Sequence, residues 1–416
     1  MIAKLLRLAF AALLLTAAGA APTPLLRDGE PVQWWFTFKL NAAAFPGCGG
    51  AERSCLFGGT AQPYKQWGQQ FVYASSADPN LKQGGGCAGD SLADPIGATF
   101  NAIYNGAWNY LVWNDQFYSD PNVAKCGDAC LAPWGHSKGI LAWDDDGNGV
   151  VMQVTTPDWP GSGSAAHPRA SEGNTLGCTA RDNNVMVSQH AFALRLTKAD
   201  VVAVLTGLHN ASVVTAPAKL QIASNGGPAE IVALVQSLGE RTKSKIWTKT
   251  VLSSGVVLIS KPSALWVPPW QMVSSILGGV SLRTATWWAY PQIYSTTKAM
   301  TMACWDDSLP DKPGAVEIAT SGQWNGTVFG LSGGLGANYN HAKIGVSTDG
   351  DRDYVIFGDL NQQGNAVDTD QKCSRSQNGR GGLFFVVSEP TLWHAVSDLV
   401  KGDTAPTQAP KSKPAP

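Results

Sequence analysis

The sequence predicts an α/β fold, with α+β-like mixed sheets flanked by helices and arranged as two pseudo-symmetric lobes. Three observations carry this. The chain has 416 residues, long for one hydrophobic core and natural for two lobes. Hydrophobic residues make up 44% and charged residues 15%, with 45 glycines and 16 tryptophans, which suits short strands joined by tight turns rather than a disordered chain. Finally, two blocks half a chain apart repeat one pattern. Set together without gaps, HSKGILAWDDDGNGVVM and HAKIGVSTDGDRDYVIF pair His136 with His341, Lys138 with Lys343, Asp144 with Asp349 and Asp146 with Asp351. Each block reads as a strand, an Asp/Gly turn and a second strand, as a duplicated unit would.

Residues 1–21 read as a signal peptide. Lys4 and Arg7 supply the positive region, Leu8 to Leu15 the apolar run, and Ala18-Gly19-Ala20 a small-residue cleavage site. The run is short for a membrane span and no other stretch reaches that length, so the mature chain is expected to be secreted or periplasmic, without membrane contact. The N-terminal lobe is expected over 22–215 and the C-terminal lobe over 216–401, with the boundary at the Pro- and Gly-containing stretch 216–228. Residues 402–416, rich in Pro, Lys and Thr, predict a disordered tail.

Along the N-terminal lobe, Pro31 to Leu40 reads as a strand, residues 41–95 as long loops pinned by disulfides, and Asn109–Trp113 and Gly139–Trp143 as further strands. Leu196 to Leu208 has helical spacing opened by Thr197 as N-cap. In the C-terminal lobe a helix is expected over 229–240, strands over 255–260, 282–288 and 382–387, and a last helix from Pro390 to about Lys401. Eight cysteines, an even number behind a signal peptide, predict disulfides of open connectivity. Cys126 and Cys130 have no second Cys or His pair nearby, so no zinc site is expected.

The net charge of −1, more acidic once Lys4 and Arg7 are removed, is not that of a constitutive nucleic-acid binder. A polyanionic substrate would need a local basic site or a low pH. The two triplets His136-Ser137-Lys138 and His341-Ala342-Lys343 offer such a site. Residues i and i+2 of a strand share a face, and a pseudo-twofold would join the two faces in one pocket, within a monomer or across a homodimer. Two ammonium groups can hold phosphate oxygens, one neutral imidazole can attack phosphorus, and a protonated one can donate to the leaving oxygen. No metal or other cofactor is needed.

Asp359 and Asn361, just past the second block, are candidates to orient an imidazole or bind a phosphate oxygen. Thr156 is the gapless counterpart of Asn361, and Asn114 with Asp115 is expected beside the first triplet. Asp144-Asp145-Asp146-Gly147 reads as a hairpin turn rather than a calcium loop, because position twelve is Thr155. His167, His190, His209 and His394 read as structural or surface residues. Lys243, Lys245 and Lys249 around Trp247 form a small basic and aromatic patch.

The sequence resembles the deoxyribonuclease II family, within the wider phospholipase D-like group of His-x-Lys phosphodiesterases. The resemblance runs from about 31 to 401. It is carried by Pro31-Val32-Gln33-Trp34, Tyr110-Leu111-Val112-Trp113-Asn114-Asp115, Gly135-His136-Ser137-Lys138, Pro157-Asp158-Trp159-Pro160, Asn340-His341-Ala342-Lys343, Gly358-Asp359-Leu360-Asn361 and Arg380-Gly381-Gly382. It implies phospholipase D-like lobes and a metal-free, acid-active endonuclease on DNA that leaves 3′-phosphate and 5′-hydroxyl ends. The wider group's Asp, seven residues after the His, is absent: Trp143 and Thr348 stand there. Extra loops around 45–90, 161–185 and 362–379 depart from the family pattern. The competing expectations are a phosphodiesterase on another ester and an inert secreted binding protein whose two histidines lie far apart.

Overall fold

The computed structural model describes residues 21–48, 55–60, 69–123, 126–179, 185–349, 351–370 and 372–407. The expected signal peptide, apart from Ala21, lies outside the described residues. Apolar runs without polar alternation need cover on both faces, and such runs build the centre of an eight-stranded sheet. Its strands are β1 (Trp34–Lys39), β2 (Phe71–Ser75), β3 (Lys82–Gln83), β4 (Asn109–Asn114), β5 (Lys138–Trp143), β6 (Gly149–Val154), β7 (Gln189–Leu196) and β8 (Ala223–Ser224). They lie in the order β3-β2-β1-β7-β6-β5-β4-β8.

A seven-stranded sheet follows. It contains β9 (Thr248–Val251), β10 (Val257–Lys261), β11 (Leu282–Ala285) and β12 (Val316–Ile318). After a separate hairpin of β13 (Ser321–Trp324) and β14 (Thr327–Gly330), it is completed by β15 (Ile344–Ser347), β16 (Tyr354–Gly358) and β17 (Gly382–Ser388). The order is β12-β11-β15-β16-β17-β10-β9, antiparallel except for β11 with β12. The helices are α1 (Pro95–Tyr104), α2 (Lys198–Ala211), α3 (Ala229–Gln236), α4 (Pro269–Ile276) and α5 (Pro390–Leu399). Thr197 caps α2 in a capping box with Asp200, and Pro at the first turn opens α1, α4 and α5, where its missing N–H costs nothing.

The fold is the mixed α/β arrangement expected from the sequence, and its two sheets repeat one topology. β1, β4, β5, β6 and β7 correspond in chain order and neighbours to β10, β11, β15, β16 and β17. Helices fall at matching places, α1 and α4 after the first strand of each set, α2 and α5 after the last. The inner faces meet through aromatic stacking: Phe357 lies 4.5 Å from Phe36 and 4.6 Å from Phe192 between ring centroids. Each such ring contributes about 1.5–3 kcal/mol by burial. Separate apolar clusters cover the outer faces, one under α1 and one under α4.

Four features differ from the sequence expectation. The cysteine-rich stretch 41–95 contains β2, whose Phe71, Val72 and Ala74 are buried. β8 and α3, C-terminal to residue 215, pack on the first sheet and on α2. Residues 402–407 are not a free tail, since Thr404 bridges Ala319 and Thr407 bridges Ser295. The strand expected over 282–288 ends at Ala285.

Candidate active site

Each triplet enters its strand by a crossed contact with the other lobe. The His136 N–H donates to the carbonyl of Gly381, just before β17 (2.8 Å), and the His341 N–H donates to that of Ser188, just before β7 (2.7 Å). The exchange brings His136, Lys138, His341 and Lys343 to the wall of one cavity of about 350 Å³.

The His136 Nδ1 lies 2.8 Å from the carbonyl oxygen of Asp359. A carbonyl only accepts, so Nδ1 carries the proton and Nε2 keeps its lone pair. His341 is held by the backbone of Gly334 and by the Trp287 ring, 3.8 Å away between centroids. Its Nε2 is buried and has no hydrogen-bond partner among the described residues, a cost that a bound ligand can relieve. Burial, followed by the nearby lysines, holds both imidazoles well below their ordinary pKa of 6.5; beside His136, Asp115 opposes the lysines.

The two lysines are not equivalent. Lys138 is ion-paired to Asp115, which also takes the Arg380 guanidinium at 2.8 Å. Burial alone would raise the Asp115 carboxyl, but Lys138 and Arg380 hold it well below the usual carboxylate range. Arg380 also donates to the carbonyls of Trp134, Cys130 and Gly135. Lys343 makes no ion pair among the described residues, and its ammonium donates to the His341 carbonyl at 2.6 Å. Burial and the Lys138 charge hold its pKa well below 10.5.

Asn361 lines the cavity, and its Oδ1 is buried without a partner among the described residues. Asp359 does not face the cavity. Its carboxylate accepts from Gln153 Nε2 (2.9 Å) and the Leu383 N–H (2.7 Å), burial pushes its pKa up to about 6, and its carbonyl fixes His136. Thr156 must be corrected, whereas Asn114 lies opposite Lys138 on the neighbouring strand, beside the first triplet as expected, but does not line the cavity. The Thr156 hydroxyl donates to Gln189 Oε1 at 2.7 Å, and the cavity is lined instead by Thr155 and Pro157. The Asn114 amide ties down the Thr156 and Trp159 carbonyls, and Asp115 turns inward in its place. Both displacements are of one residue, where alternation along an extended chain reverses the face.

Trp287 was not anticipated. Arg380 stands in the sequence within the Arg380-Gly381-Gly382 stretch and, with Lys261 and Arg375, among the cations that could contact a DNA backbone; its place at the site is not legible there. His190, expected to be structural, is buried, and its Nδ1 accepts the Lys343 N–H at 3.1 Å. Two further buried lysines occupy matching places at the ends of β1 and β10. Lys39 holds the carbonyls of Val185 and Val187 before β7; Lys261 holds those of Leu265, Asn378 and Arg380 before β17 (2.7–2.9 Å). Lys261→Met should orphan these carbonyls and cost about 1–3 kcal/mol, with a loss of activity as the Arg380 segment loosens. Thermal unfolding and kcat/KM measured together check this.

Residues 23–202 match the family model of deoxyribonuclease II. This stretch, β1 through the first turn of α2, belongs to the deoxyribonuclease II family. No curated protein matches the chain. The family is one of DNA-degrading hydrolases, and the matched region includes His136, Lys138 and Asp115. The second triplet lies beyond it and enters the same site through the repeated topology. All eight cysteines of the chain are paired, as 48–87, 55–178, 126–130 and 304–373, which fits maturation in an oxidising compartment. No helix among the described residues is long and apolar enough to cross a membrane.

Proposed function

We propose that the chain is an endodeoxyribonuclease that hydrolyses DNA phosphodiesters through a phosphohistidine, without a metal, leaving 3′-phosphate and 5′-hydroxyl ends. The single observation that carries this is the convergence of both His-x-Lys triplets on one cavity; an inert binding protein gives no reason for it. One neutral imidazole Nε2 attacks phosphorus while the other, protonated, donates to the departing 5′-oxygen. The same second imidazole then takes a proton from water, whose oxygen attacks phosphorus as the P–N bond breaks. Lys138 and Lys343 hold the non-bridging oxygens and stabilise the charge that grows on them. The acidic group lining the cavity, Asp115, is engaged by Lys138 and Arg380, which leaves it poorly suited to hold a cation.

Plasmid DNA incubated with EDTA at about pH 5 tests this beside a His136→Ala variant. The wild type should nick the plasmid and end-labelling should find 3′-phosphate; absence of nicking, or equal nicking by the variant, rejects the proposal. The acid member must be protonated although its pKa is depressed, so kcat/KM should rise as pH falls below neutrality and drop again once both imidazoles are charged.

A stability effect follows with a defined sign. His136, His190 and His341 all have folded pKa values below the ordinary 6.5. At these three groups the unfolded chain therefore binds more protons, and the histidine contribution to stability falls as pH drops through 6.5, against an opposite contribution from Asp94 and Asp359, whose folded pKa values of about 6 lie above the ordinary 3.8. An anion in the cavity favours the charged imidazoles. Inorganic phosphate should accordingly raise the melting temperature more at acid than at neutral pH, as calorimetry can show.

A further inference from the structure

The two triplets are held in different ways. Lys138 is fixed at its ammonium, by the ion pair with Asp115. Lys343 makes no ion pair among the described residues and is fixed at its backbone. Residues 339–341 run parallel to the chain entering β7. The Ser188 N–H donates to the Tyr339 carbonyl at 2.9 Å, and the Ser188 carbonyl accepts from the His341 N–H at 2.7 Å. A parallel ladder continued by two residues would join the His190 N–H to the His341 carbonyl and the His190 carbonyl to the Lys343 N–H. Both backbone groups of His190 turn instead to Thr155 at the cavity wall: the N–H donates to its hydroxyl at 3.0 Å and the carbonyl accepts its N–H at 3.2 Å. Side chains complete what the ladder leaves open. His190 Nδ1 accepts the Lys343 N–H at 3.1 Å, and the Lys343 ammonium donates to the His341 carbonyl at 2.6 Å.

We infer that His190 is a positioning residue of the active site: its imidazole stands in for a strand carbonyl, holds the Lys343 N–H, and so sets where the Lys343 ammonium meets the scissile phosphate. This rests on the phosphodiesterase proposal above. The role requires Nδ1 to be a bare acceptor, so the proton sits on Nε2, the opposite tautomer to His136. The Phe36 and Phe357 rings pack beside the imidazole, at 6.4 and 6.0 Å between centroids, in an apolar setting that favours the neutral ring. The other lobe has no such device. His190 lies opposite Phe38, one residue before Lys39, and Leu383 lies at the matching place opposite Ser260, one residue before Lys261. The Leu383 N–H likewise donates to the residue that follows the neighbouring strand, Asp359, but its side chain can accept nothing. The first lysine is therefore placed by a carboxylate at its charge. The second is placed from behind, which leaves its charge to the substrate. Lys343 is buried, so removing the acceptor orphans its N–H and the strand entry must shift to satisfy it.

The test uses three substitutions. Asn puts an amide oxygen where Nδ1 stands, Gln puts one near Nε2, and Leu fills the space with no acceptor. Each variant is measured for kcat/KM on plasmid DNA and for affinity toward inorganic phosphate by calorimetry, with the folded fraction taken from thermal unfolding. His190→Leu and His190→Gln should lower kcat/KM by about 10–100-fold, as small misplacements of a catalytic group do, and should weaken phosphate binding. His190→Asn should recover most of both. In a Lys343→Met background His190→Leu should weaken phosphate binding no further, whereas in a Lys138→Met background it should weaken it by the same factor as in the wild type. His190→Gln serves in this comparison if His190→Leu does not fold. Equal behaviour of the Asn and Gln variants, or equal weakening in the two lysine backgrounds, assigns His190 to packing alone and overturns the inference. A wild type that shows the expected phosphate pattern but cleaves no DNA overturns the phosphodiesterase proposal and not the placement of Lys343.

Discussion

Replacing His341 by Ala is expected to lower kcat by about 10²–10⁴-fold with little change in the unfolding transition. The imidazole lies against Trp287 at the cavity wall, and its unpartnered Nε2 contributes nothing to the fold, so truncation removes chemistry more than packing. His136→Ala should be comparably impaired, and the double variant little worse, because groups that act as one unit are not additive. The two single variants should differ in which step they block. Asp115 opposes the lysines at His136, whereas the main influences on His341 among the described residues are burial, the lysines and the Gly334 backbone, with no carboxylate of comparable weight. His136 is therefore the better candidate to carry the proton, and His341 to attack. With a 4-nitrophenyl leaving group, which departs without protonation, the His136→Ala variant should still form an acid-labile phosphoenzyme and the His341→Ala variant should form none. Rapid quenching with radiolabelled substrate decides between them, and the opposite pattern reverses the assignment.

Much of this frame was legible because local signals agreed. The runs at 109–114, 138–143 and 382–388 are strands, Thr197 caps a helix where its hydroxyl and Asp200 suggested, and the duplicated blocks are strand, turn and strand. The site was harder to read where a single residue decides which way a side chain faces. Lys138 pairs with Val154, but the Lys343 carbonyl takes the Gly358 N–H, one residue earlier than the gapless alignment places the counterpart. That slip is invisible in sequence, and it moves the cavity-facing role from Thr156 to its neighbours. Asn114 and Asp115 pose the same problem at the end of β4. Arg380 had no local signal at all, since its partner Asp115 lies 265 residues away and only the closed fold joins them. β2 was hidden because its apolar residues follow a stretch dominated by glycine and cysteine, whose composition resembles that of a loop.

Asp115→Asn should be the most damaging change to stability among the cavity residues. Asn fills the same space, but only its one oxygen accepts: its NH2 is turned toward either Lys138 or Arg380, two donors facing each other, and both cations remain buried without a counter-charge. Breaking one partner out of a buried ion network costs about 3–5 kcal/mol. Linkage fixes the pH range. The folded pKa of Asp115 lies below its unfolded value of 3.8, so its stabilisation is fully present above that pH and declines as pH falls through the lower folded value. At the acid pH where the imidazoles charge, wild type and variant should still differ by the whole amount, and the gap should close only in stronger acid. A kinetic signature separates this from simple destabilisation. Without the carboxylate, His136 faces Lys138 and Arg380 unopposed and its pKa drops further, so the limb of the pH–rate profile that reports the protonated imidazole should move to lower pH in folded Asp115→Asn protein. If the variant loses stability but keeps the wild-type profile, Asp115 acts only as a counter-ion for the two cations and does not tune His136.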